Sequence, residues 1–387
     1  MTKIIDGNAI ELFQSGKEYF PALVLAIDGA TTEIHLESYI FELDVTGLRV
    51  RDALVQAAQR GVKVHLLIDG FGSLDFVQHH MHQLVLSGVE VLVYRPDSEA
   101  LFFKRQRLRR LHRKVVLIDN SIAFVGGINI IDDMNHHRFS APRFDFAVSV
   151  TGPLVSEIYL SVKRIWRLIS LFEFAGRKPF LVHPIQVPCA GDIKASFSVR
   201  DNLKHRREIE SAYLAAIHSA KNEIILSSAY FLPGRIFQQA LIDAACRGVH
   251  VVLLLQGRAD HPFIHYAEHG LYEELMSGGV DIYEYTRSHL HAKVAVIDEY
   301  WATVGSSNLD PFSLLLAREA NVMVYDQRFA KQLRQRLLLA IKNDSTQLSL
   351  IEWRNKKIDR FWNKLAYRLV RVLIGMTGYL LDYDQFY

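Results

Sequence analysis

A stretch of nineteen residues occurs twice in this chain of 387. LHRKVVLIDNSIAFVGGIN begins at Leu111, and LHAKVAVIDEYWATVGSSN begins at Leu290. Both obey H-x-K-x4-D-x6-G-[GS]-x-N, and the apolar residues between the fixed positions align as well. A match of this density means two copies of one structural unit, so the fold of one half constrains the fold of the other.

The flanking sequence repeats too. FPALVLAIDGATTEIHLESYIF resembles YLAAIHSAKNEIILSSAYFL, each read as helix, turn and strand. LRVRDALVQAAQRGVKVHLLIDG resembles GRIFQQALIDAACRGVHVVLLLQG, each an amphipathic helix closed by Gly61 or Gly248 and followed by a β-rich run. The predicted class is α/β: two tandem α/β/α units related by a pseudo-twofold axis, each around a mostly parallel or mixed sheet. The first unit is placed at 1–185 and the second at 186–345, with the Pro- and Gly-rich GRKPFLVHPIQVPCAGD at the boundary. Residues 346–387 follow as a basic amphipathic tail.

Composition narrows the function. Half the residues are apolar and the net charge is only +3, so no global field points to nucleic acid as a partner. Cys189 and Cys246 form neither a disulfide framework nor a zinc spacing, which fits a reducing compartment. No signal peptide is expected from MTKIIDGNAIELF, and no apolar run is long enough for a spanning helix.

The repeated motif puts costly polar groups beside an apolar strand. Side chains two apart on a strand share a face, so His112 and Lys114 point together, as do His291 and Lys293. Asp119 and Asp298 fall seven positions after the histidines, at the opposite parity. They belong to the motif's catalytic set, but parity assigns them to bracing the unit. Asn129 and Asn308 add amide donors for a phosphate's oxygens. Two histidines solve a proton problem, since one can attack phosphorus while the other handles the proton of the departing or arriving oxygen. Cationic donors stabilise the equatorial oxygens of a phosphoryl centre. Asp145 follows His112 by 33 residues and Glu319 follows His291 by 28, each at a corresponding place in its half to orient an imidazole. No acidic ligand set accompanies the repeats, so neither a metal nor another cofactor is expected.

The paired H-x-K-x4-D motifs with their trailing G-[GS]-x-N resemble the phospholipase D superfamily over nearly the whole chain. LLIDGFGS, LHRKVVLID, FVGGIN, AYFLPG, HAKVAVID, WATVGSSNLDPFSL and EANV resemble, within it, the bacterial cardiolipin synthases of the B type. The resemblance implies two phospholipase D-like domains and ping-pong phosphatidyl transfer through a covalent phosphohistidine. His112 would be the nucleophile and His291 the general acid and base. Phosphatidylglycerol would be the substrate, with phosphatidylethanolamine as an alternative donor. The enzyme would sit peripherally on the cytoplasmic face of the bacterial inner membrane. YTRSHLHAK departs from the family pattern by placing His289 beside His291, which puts the donor choice in question. A hydrolase of the same superfamily, phospholipase D or nuclease, is the alternative activity. The oligomeric state is left open.

Two segments are candidates for membrane contact. In the tail, Lys356, Arg360, Lys364, Arg368 and Arg371 recur as a basic stripe, while Ile358, Phe361, Trp362, Leu365, Leu369 and Val372 form an apolar one. That is the pattern of a helix lying in a bilayer surface, or of one docked on its own domain. The other is ALFFKRQRLRRL, where Phe102 and Phe103 could enter acyl chains while Lys104 and Arg105 meet headgroups.

Overall fold

The computed structural model describes residues 3–96, 110–135, 141–173, 182–201, 205–258, 262–310, 317–355 and 357–376. In the first half the strands are β1 (Ile5–Gln14), β2 (Glu33–Ser38), β3 (Lys63–Asp69), β4 (Glu90–Tyr94), β5 (Val115–Ile118), β6 (Ile122–Gly126) and β7 (Phe146–Thr151). Between and after them come α1 (Ser15–Asp28), α2 (Val45–Gln59), α3 (Leu74–His79), α4 (Met81–Leu86) and α5 (Leu154–Glu173). The second half repeats the plan with β8 (Ile193–Arg200), β9 (Glu223–Ser228), β10 (His250–Gln256), β11 (Asp281–Tyr285), β12 (Lys293–Ile297), β13 (Trp301–Gly305) and β14 (Glu319–Tyr325). Its helices are α6 (Glu208–Ser219), α7 (Arg235–Cys246), α8 (Pro262–Ser277) and α9 (Gln327–Asp344). A short β15 (Ser345–Gln347), α10 (Leu350–Asn355) and α11 (Lys357–Met376) end the described chain.

The strands form one sheet in the order β4-β3-β2-β5-β6-β7-β1-β8-β14-β13-β12-β9-β10-β11-β15. Read outward from the β1–β8 junction, the two halves have the same order, with β15 added at one end. β1 and β8 pair antiparallel through Ile5–Ala195 and Asn8–Ile193, as a pseudo-twofold relation between the halves requires. Only β2-β3-β4 and β9-β10-β11 run parallel, so each half is a mixed sheet.

The repeated helices form for the reasons their sequence suggests. The Asp44 side chain caps α2 by accepting the Gly47 N–H, and Val50, Ala53, Leu54 and Ala57 bury one face. Gly61 ends it at φ +90°, letting the Val62 N–H reach back to the Ala57 carbonyl; Gly248 (φ +89°) and Val249 do the same after α7.

Val115-Val116-Leu117-Ile118 lacks alternation because both faces of β5 are covered. Val115 and Leu117 face a core shared by the halves, while Val116 and Ile118 face the first half's own core. β12 follows suit, with Val294 and Val296 in the shared core and Ala295 and Ile297 in the second half's. Val148, Leu154 and Ile158 thus pack in one cluster with Val322, Leu333 and Leu337. Burying each such side chain is worth about 1.5–3 kcal/mol, so the shared core rigidly joins the two motifs.

Candidate active site

His112 and His291 stand just before β5 and β12, not on regular strand as their spacing suggests. The backbone there bridges to the other half. Leu111 pairs with Arg318, and the His112 N–H donates to the Arg318 carbonyl at 3.0 Å. Leu290 pairs with Phe144, and the His291 N–H donates to the Phe144 carbonyl at 2.9 Å. Each histidine is therefore held beside the residue that precedes the opposite half's carboxylate.

The carboxylates cross accordingly. His112 Nδ1 lies 3.0 Å from Glu319 Oε1, and His291 Nδ1 lies 2.6 Å from Asp145 Oδ2. The corresponding placement of each acid within its own half had suggested the opposite pairing, Asp145 with His112 and Glu319 with His291. Proximity in sequence is overridden by the bridges across the pseudo-twofold. With Nδ1–H donating to a carboxylate, Nε2 of each neutral ring is the nitrogen left with a free lone pair.

Lys114 Nζ donates to the His112 carbonyl at 2.7 Å, and Lys293 Nζ donates likewise to the His291 carbonyl. Each imidazole also feels the ammonium of the opposite half, Lys293 acting on His112 and Lys114 on His291. The two motifs thus form one electrostatic site. Burial lowers Lys114 to about 7 and Lys293 to about 8, against the pull of Glu319 and Asp145. Burial also raises the Asp145 carboxyl to about 7. Both histidines are held below their ordinary value by burial. At His112 Glu319 opposes the shift while Lys114 and Lys293 add to it, and at His291 Lys293, His289, Lys114 and Arg143 add to it.

The motif's small residues make room for this arrangement. A Cβ on Gly127 would lie 2.3 Å from Asp145 Oδ1. In the second copy Ser306 takes that place, and its hydroxyl donates to Glu319 Oε2. The G-[GS] alternative in the repeat therefore reflects how each carboxylate is seated. Asn129 and Asn308 are both buried, and the Asn129 side-chain oxygen accepts the Ile40 N–H at 3.2 Å. The NH2 end is the side chain's donor.

Asp119 and Asp298 do not join the cluster. Asp119 accepts the backbone N–H groups of Thr31, Thr32 and Glu33 at 2.8–3.0 Å, and Asp298 accepts those of Lys221, Asn222 and Glu223 at 2.8–2.9 Å. Despite a desolvation cost, those bonds hold the Asp119 carboxyl below its usual range. Both residues tie the turn after the motif strand to the start of a neighbouring strand.

Sequence reasoning left other contributors unassigned. The Asp69 carboxylate accepts the Leu111 N–H at 2.8 Å, and the Gln256 side-chain Oε1 accepts the Leu290 N–H at 2.9 Å, fixing the residue before each histidine. Both close a strand at matching places in the repeat, a signal that was legible. Tyr39 packs edge-on to His112 at 5.0 Å, with Lys114 Nζ over its ring at 5.3 Å. Its repeat partner is not aromatic, so the repeat offered no hint. Glu37 pairs structurally with the buried Arg113 at 2.8 Å.

Among the described residues, Glu33, His35 and His65 have a donor set that could hold a metal. Lys163 Nζ already sits 2.6 Å from Glu33 Oε2, and the two imidazoles stack at 4.3 Å with Trp166 against both. This cluster packs against α5, apart from the motif histidines.

Of the membrane candidates, Phe102, Phe103, Lys104 and Arg105 lie outside the described residues. Arg360, Phe361, Trp362, Lys364 and Arg368 lie on α11, which packs along α8. The basic stripe is not all turned to solvent: Arg360 and Lys364 reach Glu273 on α8 at 2.6 and 2.9 Å. No helix among the described residues is long and apolar enough to cross a membrane.

A family model described as "Cardiolipin synthase, PLD-like domain" matches residues 23–139 and 213–338. Cardiolipin synthase B of Salmonella typhimurium is 38% identical over 391 residues, spanning 97% of this chain and 91% of that one. Its counterpart from Escherichia coli K12 is 37% identical over 389 residues, with the same coverage. Cardiolipin synthase 1 of Staphylococcus epidermidis is 32% identical over 351 residues, 90% of this chain and 70% of that one. The crystal structure of phosphatidylserine synthase from Haemophilus influenzae Rd KW20 superposes with a TM-score of 0.68 at 16% identity, covering 95% of this chain and 94% of that one. At that identity the likeness is one of fold.

Proposed function

The chain belongs to the cardiolipin synthases of the phospholipase D-like family, and from that membership we propose that His112 and His291 transfer a phosphatidyl group through a covalent phosphohistidine. The enzyme makes cardiolipin by phosphatidyl transfer. The observation that carries the histidine mechanism is the crossed pairing, in which the opposite half's carboxylate fixes each imidazole at Nδ1.

Nε2 of His112 attacks the phosphorus of phosphatidylglycerol. A P–N bond forms, the bond to the headgroup oxygen breaks, and His291 gives its proton to the departing glycerol. The headgroup hydroxyl of a second phosphatidylglycerol then loses its proton to His291 and attacks phosphorus. The P–N bond breaks, cardiolipin leaves and His112 is restored. Lys114, Lys293, Asn129 and Asn308 hold the non-bridging oxygens. Asp145 and Glu319 keep the imidazoles in the productive tautomer. Phosphatidylethanolamine is the alternative phosphatidyl donor. The catalytic unit comprises 1–185 and 186–345, attached peripherally to the cytoplasmic face of the membrane.

A second reading exchanges the two histidines. It is favoured by the near-symmetry of the two pairs, in which His291 Nδ1 lies 2.6 Å from Asp145 just as His112 Nδ1 lies 3.0 Å from Glu319. Acid-free trapping with phosphatidyl-labelled lipid separates the two. Label should stay on His112 in the His291→Ala enzyme and be absent from His112→Ala. The reverse distribution supports the exchange, and no label in either variant or the parent rules out the covalent route. Mass spectrometry of lipids from defined liposomes distinguishes cardiolipin from phosphatidic acid, the product if water is the acceptor.

A further inference from the structure

Helix α11 is docked the wrong way round for a helix that only covers its own domain. Such a helix buries its apolar stripe and exposes its charges. Here Glu273 of α8 gathers Arg360 at 2.6 Å and Lys364 at 2.9 Å from α11, together with Arg354 of α10 at 3.7 Å. Asn363 and Val370 are buried against the protein. The close approach has a steric basis, since a Cβ on Gly270 would lie 2.7 Å from the Cβ of Tyr367. The apolar stripe faces out: Ile358, Phe361, Trp362, Leu365, Leu369 and Val372 are 46–76% exposed.

The ridge continues beyond α11. Phe263 and Tyr266 of α8 are also exposed. The contacts of residue 360 with 273 and of 367 with 270 show that α11 runs antiparallel to α8, so its later turns approach these two aromatics. The first turn of α8 follows β10, whose last residue, Gln256, holds the backbone before His291. The first turn of α8 and the backbone before His291 therefore both lie at the C-terminal end of β10. Arg368 is exposed and Arg371 half-buried, giving the ridge a cationic flank.

We propose that this ridge seats the enzyme on an anionic phospholipid bilayer, with α11 lying in the interface. The proposal rests on the reading of phospholipids as substrates and names the surface that presents them. The occupant follows from charge and polarity together. An apolar ridge with arginines beside it matches acyl chains beneath anionic headgroups. Glu273 neutralises the basic residues that would otherwise compete for the outward side.

The test uses the full-length enzyme and vesicles of phosphatidylcholine, alone or mixed with phosphatidylglycerol. The parent should co-float with the mixed vesicles. Its emission should shift to the blue through Trp362, because Trp166, Trp301 and Trp353 are buried. Combined serine replacement of Phe361, Trp362 and Leu365 should lower partitioning at least about tenfold. Its turnover of monomeric short-chain phosphatidylglycerol should match the parent's. Trp362→Phe should keep flotation and lose the blue shift. Should the triple variant fail to fold, Ile358→Glu, at the most exposed ridge position, provides the same comparison. Unchanged flotation of the serine or glutamate variant overturns the proposal. So does a parent that ignores both vesicles, or one that uses the ridge to dimerise. Ridge-dependent flotation without any turnover of short-chain lipid would instead keep the surface and remove the transferase reading.

Discussion

His291 Nδ1 and Asp145 Oδ2 are 2.6 Å apart, although 146 residues separate them in the chain. His112 and Glu319 mirror the contact across 207 residues. Each half thus completes the other's histidine–carboxylate pair, and neither carries a finished one.

The crossed dyads make a specific demand on mutagenesis. Asp145→Asn and Glu319→Gln should each lower kcat by roughly 10²–10⁴ with little change in KM, because tautomer and orientation are lost rather than binding. Imidazole 15N spectra provide the discriminating readout. Asp145→Asn should shift the His291 ring nitrogens and leave those of His112 in place. A shift confined to His112 would refute the pairing.

Activity and stability should move in opposite directions above neutrality. Lys114 is lowered to about 7 and Lys293 to about 8, from 10.5, chiefly by burial. As pH rises through that range the folded enzyme loses the ammonium charges proposed to hold phosphate, so kcat/KM should fall with an apparent pKa near 7–8. The unfolded chain keeps those protons up to about 10.5, so it binds more protons than the folded state in this window. The contribution of these lysines to stability therefore rises with pH between about 7 and 10.5. A pH profile of kcat/KM beside denaturant melts at each pH checks both signs, and a flat kcat/KM through pH 9 would contradict the assignment.

Two glycines should behave differently when changed to alanine. Gly61 sits at φ +90° with open space around it, so Gly61→Ala should cost about 1–2 kcal/mol of stability and spare activity per folded molecule. Gly127→Ala would drive a methyl into the Asp145 carboxylate, so turnover should fall more than about tenfold, as expected when a positioned group is displaced. Melting curves alongside kcat separate the two outcomes.

Asp119 and Asp298 provide a test of bracing against chemistry. Their carboxylates are committed to backbone N–H groups. Asp119→Ala should therefore lower stability by about 1–2 kcal/mol and leave turnover of the folded fraction close to the parent's. A large loss of kcat in a fully folded Asp119→Ala enzyme would return the residue to the catalytic set.

Much of this architecture was written in local sequence. The duplicated motif, the helix-ending glycines and the apolar β5 and β12 need only nearest neighbours along the chain to be read, because strand period, turn geometry and capping act over a few residues. The seven-residue spacing likewise set Asp119 beyond the far end of β5 from His112. The tail's two stripes were legible as helical periodicity. That periodicity says a helix has two faces and does not say which one its partner will cover.

What the sequence determined by itself was the inventory: two imidazoles, two ammonium groups, two carboxylates and the repeat that presents them symmetrically. Tertiary structure alone decided who pairs with whom. Backbone bridges across the pseudo-twofold place Arg318 beside Leu111 and Phe144 beside Leu290, so each acid is delivered to the other half's histidine. Glu273, on a different helix, decides which side of α11 turns inward. The physical reason is common to both. A hydrogen bond or ion pair is set by distance in space after the core has closed, and separation along the chain carries no information about it.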